Sequence, residues 1–366
     1  MSALTFFPAS AEEFLDKGTK PLRVKFGIDP TRPRLHLGHF VPLRACRKLQ
    51  AKGHSLDLIL GTLTAQLGDP SGQDQTRPFL PEAEVKANAE KILEQVKKVL
   101  LPGFNVHRNH EFVDGMSVPF FLTNLVSQFN VANMMARDAF KQRQEHNQPI
   151  ALHEFLVPLL QGWDSVFLKS EVEVGGNDQL FNFQVARKLQ EARGLVPQVC
   201  VMTPIIRGTD GRKMSKTFGN TIWLDETPED MFGQVMSIPD DVMEEWIPLL
   251  VDFAPDANHH PMVRKKWLAE DIVFQLHGRV AATNARMAFE NLCQQKRVPE
   301  EMPTIEMGDT LLGLVAKIRG ESNSRARTLI SQGGVCVNGQ VEKNPSVLPV
   351  SGDILKVGKL IFRKVW

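Results

Sequence analysis

A chain of 366 residues with a formal net charge of +1 cannot hold nucleic acid by bulk charge, so any such contact must come from local patches. Its apolar share of 42% and charged share of 23% suit a globular protein of two or three domains with a large core. There is no run of eighteen apolar residues and no apolar stretch behind a basic start, so neither a membrane span nor a signal peptide is expected. Four scattered cysteines, Cys46, Cys200, Cys293 and Cys336, form no CxxC pair. That fits reduced cytosolic thiols and argues against a disulfide framework or a structural zinc site. The aromatic content is lopsided: 22 Phe, 5 Trp and no Tyr.

In chain order, Leu22 to Ile28 (LRVKFGI) reads as a buried strand. His36 to Gly53 reads as a helix with Phe40, Leu43, Ala45, Cys46 and Leu49 on its inner face and Gly53 as its stop. Ser55 to Leu60 is a second strand, followed by a Gly-rich, acid-bearing loop from Gly61 to Gly72. Glu82 to Leu101 is a charged amphipathic helix, Phe104 to Val106 a short strand, and Met116 to Asn147 a mostly helical interruption. Strands at Glu171–Val174 and Gln198–Met202 flank a helix over Asp178–Arg193. This alternation predicts an α/β fold, a mostly parallel sheet with helices on both faces. Ligands of such sheets sit at the carboxyl ends of the strands, where the loops holding Asp29, Asp69, Gly175–Gln179 and Lys213 would converge. From Glu229 to Lys296 the pattern is helical, Pro299 to Pro303 reads as a linker, and the tail from Thr304 reads as a helical pair followed by short strands.

Two segments carry chemistry. In IDPTRPRLHLGHF, Ile28 to Phe40, His36 and His39 stand three apart at a helix start, with Gly38 between them. A helix N-terminus offers free N–H groups and partial positive charge. With two imidazole donors and a close-approach glycine it would make a polyphosphate cradle. HxxH alone is weak evidence for a metal, and no third ligand stands at zinc-protease spacing. The second segment, GRKMSKTFGN, puts Lys213 and Lys216 three apart among glycines and hydroxyls, a cationic loop. Taken alone, each segment is more often a capping histidine or a solvated basic loop.

Together and in this order, HLGH and KMSKT resemble the two ATP-clamping signatures of class I aminoacyl-tRNA synthetases. With GIDPT, GDPSG, HEF-x-x-P-L-x-QG-x-DS and GGNDQ, the chain resembles the bacterial tyrosyl-tRNA synthetases over nearly its whole length. The resemblance implies a Rossmann-like catalytic domain over residues 1–224, with a helical insertion at about 112–150. A helical anticodon-binding domain over 225–302 and a small α+β RNA-binding module of the alpha-L type over 303–366 would follow. It implies that L-tyrosine is activated by ATP with Mg²⁺, without a prosthetic group, and passed to tRNA(Tyr) by a cytoplasmic homodimer, with Phe120–Phe140 as the dimer face.

The resemblance also assigns roles by position. His36, His39, Lys213 and Lys216 would stabilise charge at the reacting phosphates, and Asp29, Thr31, Gly38, Asp178 and Thr217 would hold ATP. Asp69, Gln161 and Gln179 would lie near the substrate ammonium, with Val157 beside them, and Asp164 would read the phenolic hydroxyl. Arg325, Arg327 and Lys343 would face RNA phosphates. A buried group built to accept an O–H rejects phenylalanine by about 10⁴–10⁵, because otherwise it is left unpaired. Four positions depart from the pattern: Val157, Trp163 and Thr221 stand where the family usually has Tyr, and Asn177 where it has Ser or Thr. Two other readings therefore stay open. One is a paralogue activating another aromatic acid or analogue; the other is a non-catalytic RNA-binding or splicing factor.

Overall fold

The structure is a computed structural model that describes residues 4–17, 20–69, 79–215, 218–291, 302–307, 309–358 and 361–366. The chain divides into two compact units, residues 1–226 with 237–268, and residues 227–236 with 269–366. Among the described residues, no helix is long and apolar enough to cross a membrane.

The first unit is built on a six-stranded sheet of β1 (Thr5–Phe7), β2 (Arg23–Ile28), β3 (Ser55–Leu60), β4 (Asn105–Arg108), β5 (Val172–Gly176) and β6 (Val199–Thr203). Their order across the sheet is β1-β6-β5-β2-β3-β4. β2 to β6 run parallel, and β1 closes the β6 edge antiparallel. Neither β1 nor the helix α1 (Ala11–Lys17) after it is foreseen by the sequence reading; β1 is three residues long, too short for a periodic signal. β3 buries Leu56, Asp57, Leu58, Ile59 and Leu60, the near-continuous apolar run of a strand covered on both faces. β2 is alike but carries a buried lysine, Lys25, in mid-strand.

Helices cover the sheet. α2 (Leu37–Ala51) buries Phe40, Leu43, Ala45, Cys46 and Leu49, the expected inner face. The Gly-rich loop after β3 contains a single helical turn, α3 (Thr64–Leu67). α4 (Glu82–Val99) buries Val85, Ala89, Ile92, Val96 and Val99, a stripe stepping by four and three; its acidic first turn and basic last turn match the helix dipole. The interruption after β4 holds α5 (Val118–Asn124), α6 (Val131–Met135) and α7 (Asp138–Glu145). Then comes α8 (Val157–Leu168), to which the sequence reading gave no element although it carries the Gln161–Asp164 motif. α8 packs on α9 (Leu180–Ala192) through Leu159, Val166, Val185 and Leu189.

After α10 (Pro228–Met236), a member of the second unit, α11 (Asp240–Leu250) and the first half of α12 (Pro261–His277) belong to the first. In the second unit, α10 packs against α13 (Arg279–Phe289), with Phe232 and Phe289 in ring contact at 5.4 Å. The tail has a core of its own, formed by Ile305, Leu311, Leu314, Val315, Ala326, Ile330, Val335, Leu355, Val357 and Val365. β7 (Thr304–Ile305), α14 (Leu311–Arg319), α15 (Asn323–Ser331), β8 (Val335–Val337), β9 (Gln340–Val341), β10 (Ile354–Val357) and β11 (Ile361–Val365) enclose it. The helical pair followed by strands is as expected for β8 to β11, but a two-residue strand, β7, precedes the pair; the five strands form one sheet, β7-β11-β10-β8-β9.

Candidate functional site

β2 lies between β3 and β5, so the chain leaves it toward one edge of the sheet and later returns to its other side. That reversal opens a crevice at the carboxyl ends of the strands. A cavity of about 410 Å³ occupies it, lined from the ends of β2, β3, β5 and β6 and from the start of α2.

At one end stand the two histidines. His36 is the N-cap of α2, and its Nδ1 accepts the backbone N–H of Gly38 at 3.1 Å. Nδ1 of His39 accepts the backbone N–H of His36 at 3.2 Å. The pair is a reciprocal capping box built from two imidazoles. The free N–H groups expected at this helix start are therefore occupied: Leu37 donates to the Ile222 carbonyl, and His39 and Phe40 donate to that of His36. Because both Nδ1 atoms accept, each ring carries its hydrogen on Nε2. Burial is the main cause that lowers both pKa values, His36 to about 2, with a further contribution from His39, and His39 itself to about 4. Both rings line the cavity as neutral imidazoles at pH 7, each able to donate from Nε2 alone. Gly38 leaves room for a ring. A Cβ there would lie 2.8 Å from Cε1 of His36.

Lys213 lines the same cavity. It sits in a hairpin-like loop where Gly208 donates to the Arg212 carbonyl at 2.6 Å and Met214 to that of Ile206 at 3.1 Å. Asn220 staples the base: its side chain accepts from the Ser215 N–H at 2.8 Å and donates to Asp210 at 2.6 Å and to the Lys213 carbonyl at 3.1 Å. Asn220, with Arg212, holds the Asp210 carboxyl down at about 2. α11 braces the loop through Glu245, which accepts from Arg207, and Trp246, whose Nε1 donates to the Arg207 carbonyl at 3.0 Å. Lys216 and Thr217 lie outside the described residues.

Between the two ends, Asp29 accepts the Thr64 hydroxyl at 2.6 Å, and Asn109 donates to that hydroxyl at 3.1 Å. Gly61 permits this approach, since a Cβ there would fall 1.9 Å from Asp29 Oδ1. Asp164 also lines the cavity and is buried. Burial pushes its carboxyl well up, while the Lys25 ammonium and a hydrogen bond from Asn109 pull it down.

A polar chain that the sequence reading missed connects the walls. Asp69 accepts from Arg137 at 2.9 Å and from Gln179 at 3.0 Å. Asn182 donates to Gln179 at 2.8 Å and to Gln161 at 2.9 Å. Gln161 reaches Glu173, which pairs with Lys25 at 2.8 Å. A buried lysine in a strand was the available signal, because such a charge needs a partner. The Asp69 carboxylate, assigned to an ammonium, is thus already held by a guanidinium and an amide.

Of the residues singled out in the sequence, Asp29, Thr31, His36, Gly38, His39, Asp69, Val157, Gln161, Asp164, Asp178, Gln179 and Lys213 all line this one cavity. Of the four departures only Val157 does. Trp163 packs edge-on against Phe120 at 5.7 Å and donates to the Phe112 carbonyl at 2.9 Å; Thr221 is buried elsewhere and Asn177 is exposed. Arg325 and Arg327 are exposed on α15, on either side of the buried Ala326, and Lys343 is exposed after β9. Among the described residues, no group of three or more His, Cys, Asp or Glu is placed to hold a metal ion.

Comparison with known proteins gives concordant results. A family profile described as "tRNA synthetases class I (W and Y)" matches residues 17–294, and an S4 domain profile matches residues 314–355. The chain is 42% identical to a tyrosine–tRNA ligase of Thermotoga maritima, over 97% of this chain and 94% of that protein. It is 40% identical to that of Aquifex aeolicus at the same coverage. In fold it is similar to a truncated mitochondrial tyrosyl-tRNA synthetase of Aspergillus nidulans, with TM-score 0.64 at 23% identity, covering 75% of this chain and 86% of that one. It is also similar in fold to the Archaeoglobus fulgidus tyrosyl-tRNA synthetase solved with L-tyrosine, with TM-score 0.59 at 18% identity, covering 78% and 95%.

Proposed function

The chain belongs to the class I tRNA synthetases, among the tyrosine–tRNA ligases, and on that premise we propose how its own residues divide the work. The family's reaction has two steps. A carboxylate oxygen of tyrosine attacks the α-phosphorus of ATP, and the bond to the bridging oxygen breaks with loss of pyrophosphate. A terminal hydroxyl of tRNA then attacks the acyl carbon, and AMP leaves. The substrate supplies the nucleophile, so the protein's task is to position and to stabilise developing charge.

The observation that carries the assignment is that two neutral imidazoles, a lysine and a buried carboxylate line one cavity. In this reading the Nε2–H groups of His36 and His39 donate to phosphate oxygens, and Lys213 with Lys216 neutralises the leaving pyrophosphate. Asp29, Thr31, Gly38, Asp178 and Thr217 hold the nucleotide. Gln161, Gln179 and Asp69 surround the ammonium, with Arg137 fixing the orientation of the Asp69 carboxylate. Val157 shapes the wall, and Asp164 accepts the phenolic hydrogen. Mg²⁺ would enter on the triphosphate, whose oxygens are its ordinary ligands.

The S4 match over residues 314–355 places an RNA-binding domain in the tail, and we assign Arg325, Arg327 and Lys343 to its phosphate contacts. We read residues 1–224, 225–302 and 303–366 as the catalytic, anticodon-binding and tail domains. A cytoplasmic homodimer would use the insertion, where Val118, Phe120, Leu122 and Val131 are exposed. The test is pyrophosphate exchange across a panel of amino acids: tyrosine should be best, and only aromatic acids should support exchange. If phenylalanine or an unrelated acid outperforms tyrosine, the reading of Asp164 and Gln161 fails and the altered Val157 wall sets another specificity.

A further inference from the structure

A cavity that receives a neutral phenol has a fully buried ion pair in its floor. Lys25 on β2 and Glu173 on β5 are each 1% exposed, and their charges meet at 2.8 Å. Burying two ions is costly, and a matched apolar pair often serves stability as well or better, so stability alone does not account for them. Their hydrogen bonds point to another role. The Lys25 ammonium donates to Glu173 Oε1, to Ser165 Oγ at 2.6 Å and to the Gln161 carbonyl at 3.0 Å, which uses all three of its N–H groups. Glu173 accepts from the Gln161 amide at 3.4 Å, from the Ser165 hydroxyl at 3.3 Å and from Gln198. Gln161 and Ser165 flank Asp164 on α8, so two neighbouring strands grip the helical turn that carries it.

We propose that Lys25 and Glu173 are a specificity-determining pair of positioning residues. They lock the Gln161–Ser165 turn from β2 and β5, and they set the charge state in which Asp164 meets the substrate hydroxyl. The inference rests on the reading of Asp164 given above. The groups acting on Asp164 are Lys25 from β2, Glu173 from β5, Asp29 from the loop after β2, and the uncharged Asn109. Of these, Lys25 favours the carboxylate, and Glu173 and Asp29 oppose it. The ammonium works against burial, which still holds the Asp164 carboxyl well above its ordinary range, and the balance of the two sets how readily Asp164 meets the phenolic O–H as an anion. With its three N–H groups already spent, Lys25 offers the substrate field rather than a direct bond.

The two charges therefore push in opposite directions, and a merely structural role would not. The experiment is pyrophosphate exchange from pH 5 to 9 with tyrosine and with phenylalanine, using wild type, Lys25→Met, Glu173→Gln and Asp164→Asn. Lys25→Met should move the acid limb of the tyrosine KM to higher pH and reduce the preference for tyrosine over phenylalanine by about tenfold or more. Glu173→Gln should move the limb to lower pH. The ATP KM should stay at the wild-type value in both. If both variants keep the wild-type limb, even with raised KM values, the inference is overturned. If Lys25→Met does not fold, as judged by circular dichroism, Glu173→Gln decides alone, and an unmoved limb there overturns the proposal. If Asp164→Asn retains the preference for tyrosine, the underlying reading of Asp164 fails, and the role of the pair falls with it.

Discussion

The Nδ1 atoms of His36 and His39 both face backbone, accepting from the N–H groups of Gly38 and His36 at 3.1 and 3.2 Å. Each ring therefore keeps its hydrogen on Nε2 and stays uncharged, with pKa values lowered to about 2 and about 4. Nitrogen-15 spectra of the histidine rings should show two Nε2–H tautomers that do not titrate between pH 8 and 5. A linkage consequence follows. Below the ordinary value of 6.5 the unfolded chain takes up protons at these positions, while the fold refuses them until about 4. Stability contributed by neutral His39 is thus present above 6.5 and lost as pH falls from there toward 4. The urea midpoint should drop less over that window in His39→Gln than in wild type; an equal drop would contradict the assignment.

Gly38→Ala tests the packing of the same cap. Its Cβ would stand 2.8 Å from Cε1 and 2.9 Å from Nδ1 of His36, so the ring must move. Displacement of a donor by about 1 Å can cost about 10² in rate. We expect a loss of adenylate formation on that scale, with tyrosine affinity close to wild type at the other end of the cavity. Unchanged exchange kinetics would show that the placement of His36 is immaterial.

For the loop, Lys213→Ala and Lys216→Ala should each slow activation by about 10²–10³, the scale of one preorganised transition-state contact. Equilibrium binding of tyrosine should barely move. Near-wild-type pre-steady-state rates would reduce the loop to a solvated basic surface. Asn220→Ala should mimic part of the Lys213 loss, because the amide that staples the loop base would be gone.

The tail has a core drawn wholly from residues 305–365. A chain ending near Met302 should still exchange pyrophosphate with tyrosine but lose most tRNA charging, since Arg325, Arg327 and Lys343 leave with the tail. Charging that survives the truncation would make these contacts dispensable.

The composition makes a prediction of its own. The resemblance implies tyrosine at the positions of residues as unlike as Val157, Trp163 and Thr221, and no single packing demand replaces one residue type by both a smaller and a larger one. Removal of the residue type itself is the simpler cause. An enzyme that charges tyrosine and contains none can be translated when charged tyrosyl-tRNA is scarce. In a reconstituted translation system without tyrosine, full-length chain should appear. Given tyrosine and tRNA afterwards, that product should start synthesis of a tyrosine-containing reporter. Product that cannot charge tRNA with tyrosine would end this explanation.

Much of the site was legible because its residues follow strand ends. A parallel sheet carries such loops to one edge, so Asp29, Asp69, Asp178 and Lys213 could be placed together from the order of the elements. Helix α8 was not legible. Its apolar residues surround it, so no 3.6-residue stripe stands out. The resemblance set Val157 in the amino-acid pocket and gave Trp163 no role there; that Val157 lines the cavity and Trp163 does not follows from which side of a buried helix its neighbours leave open.

The strands β2, β3, β5 and β6, the amphipathic stripe of α4 and the presence of two short motifs are local properties that the sequence carries on its own. Local periodicity and loop chemistry need only neighbouring residues. Two matters were decided by tertiary structure alone. Arg137 from the insertion holds Asp69, and Lys25 and Glu173 meet beside the turn that carries Asp164. Each depends on partners whose approach no local pattern specifies. Each also involves a polar or charged group whose burial is tolerable only because such a partner arrives.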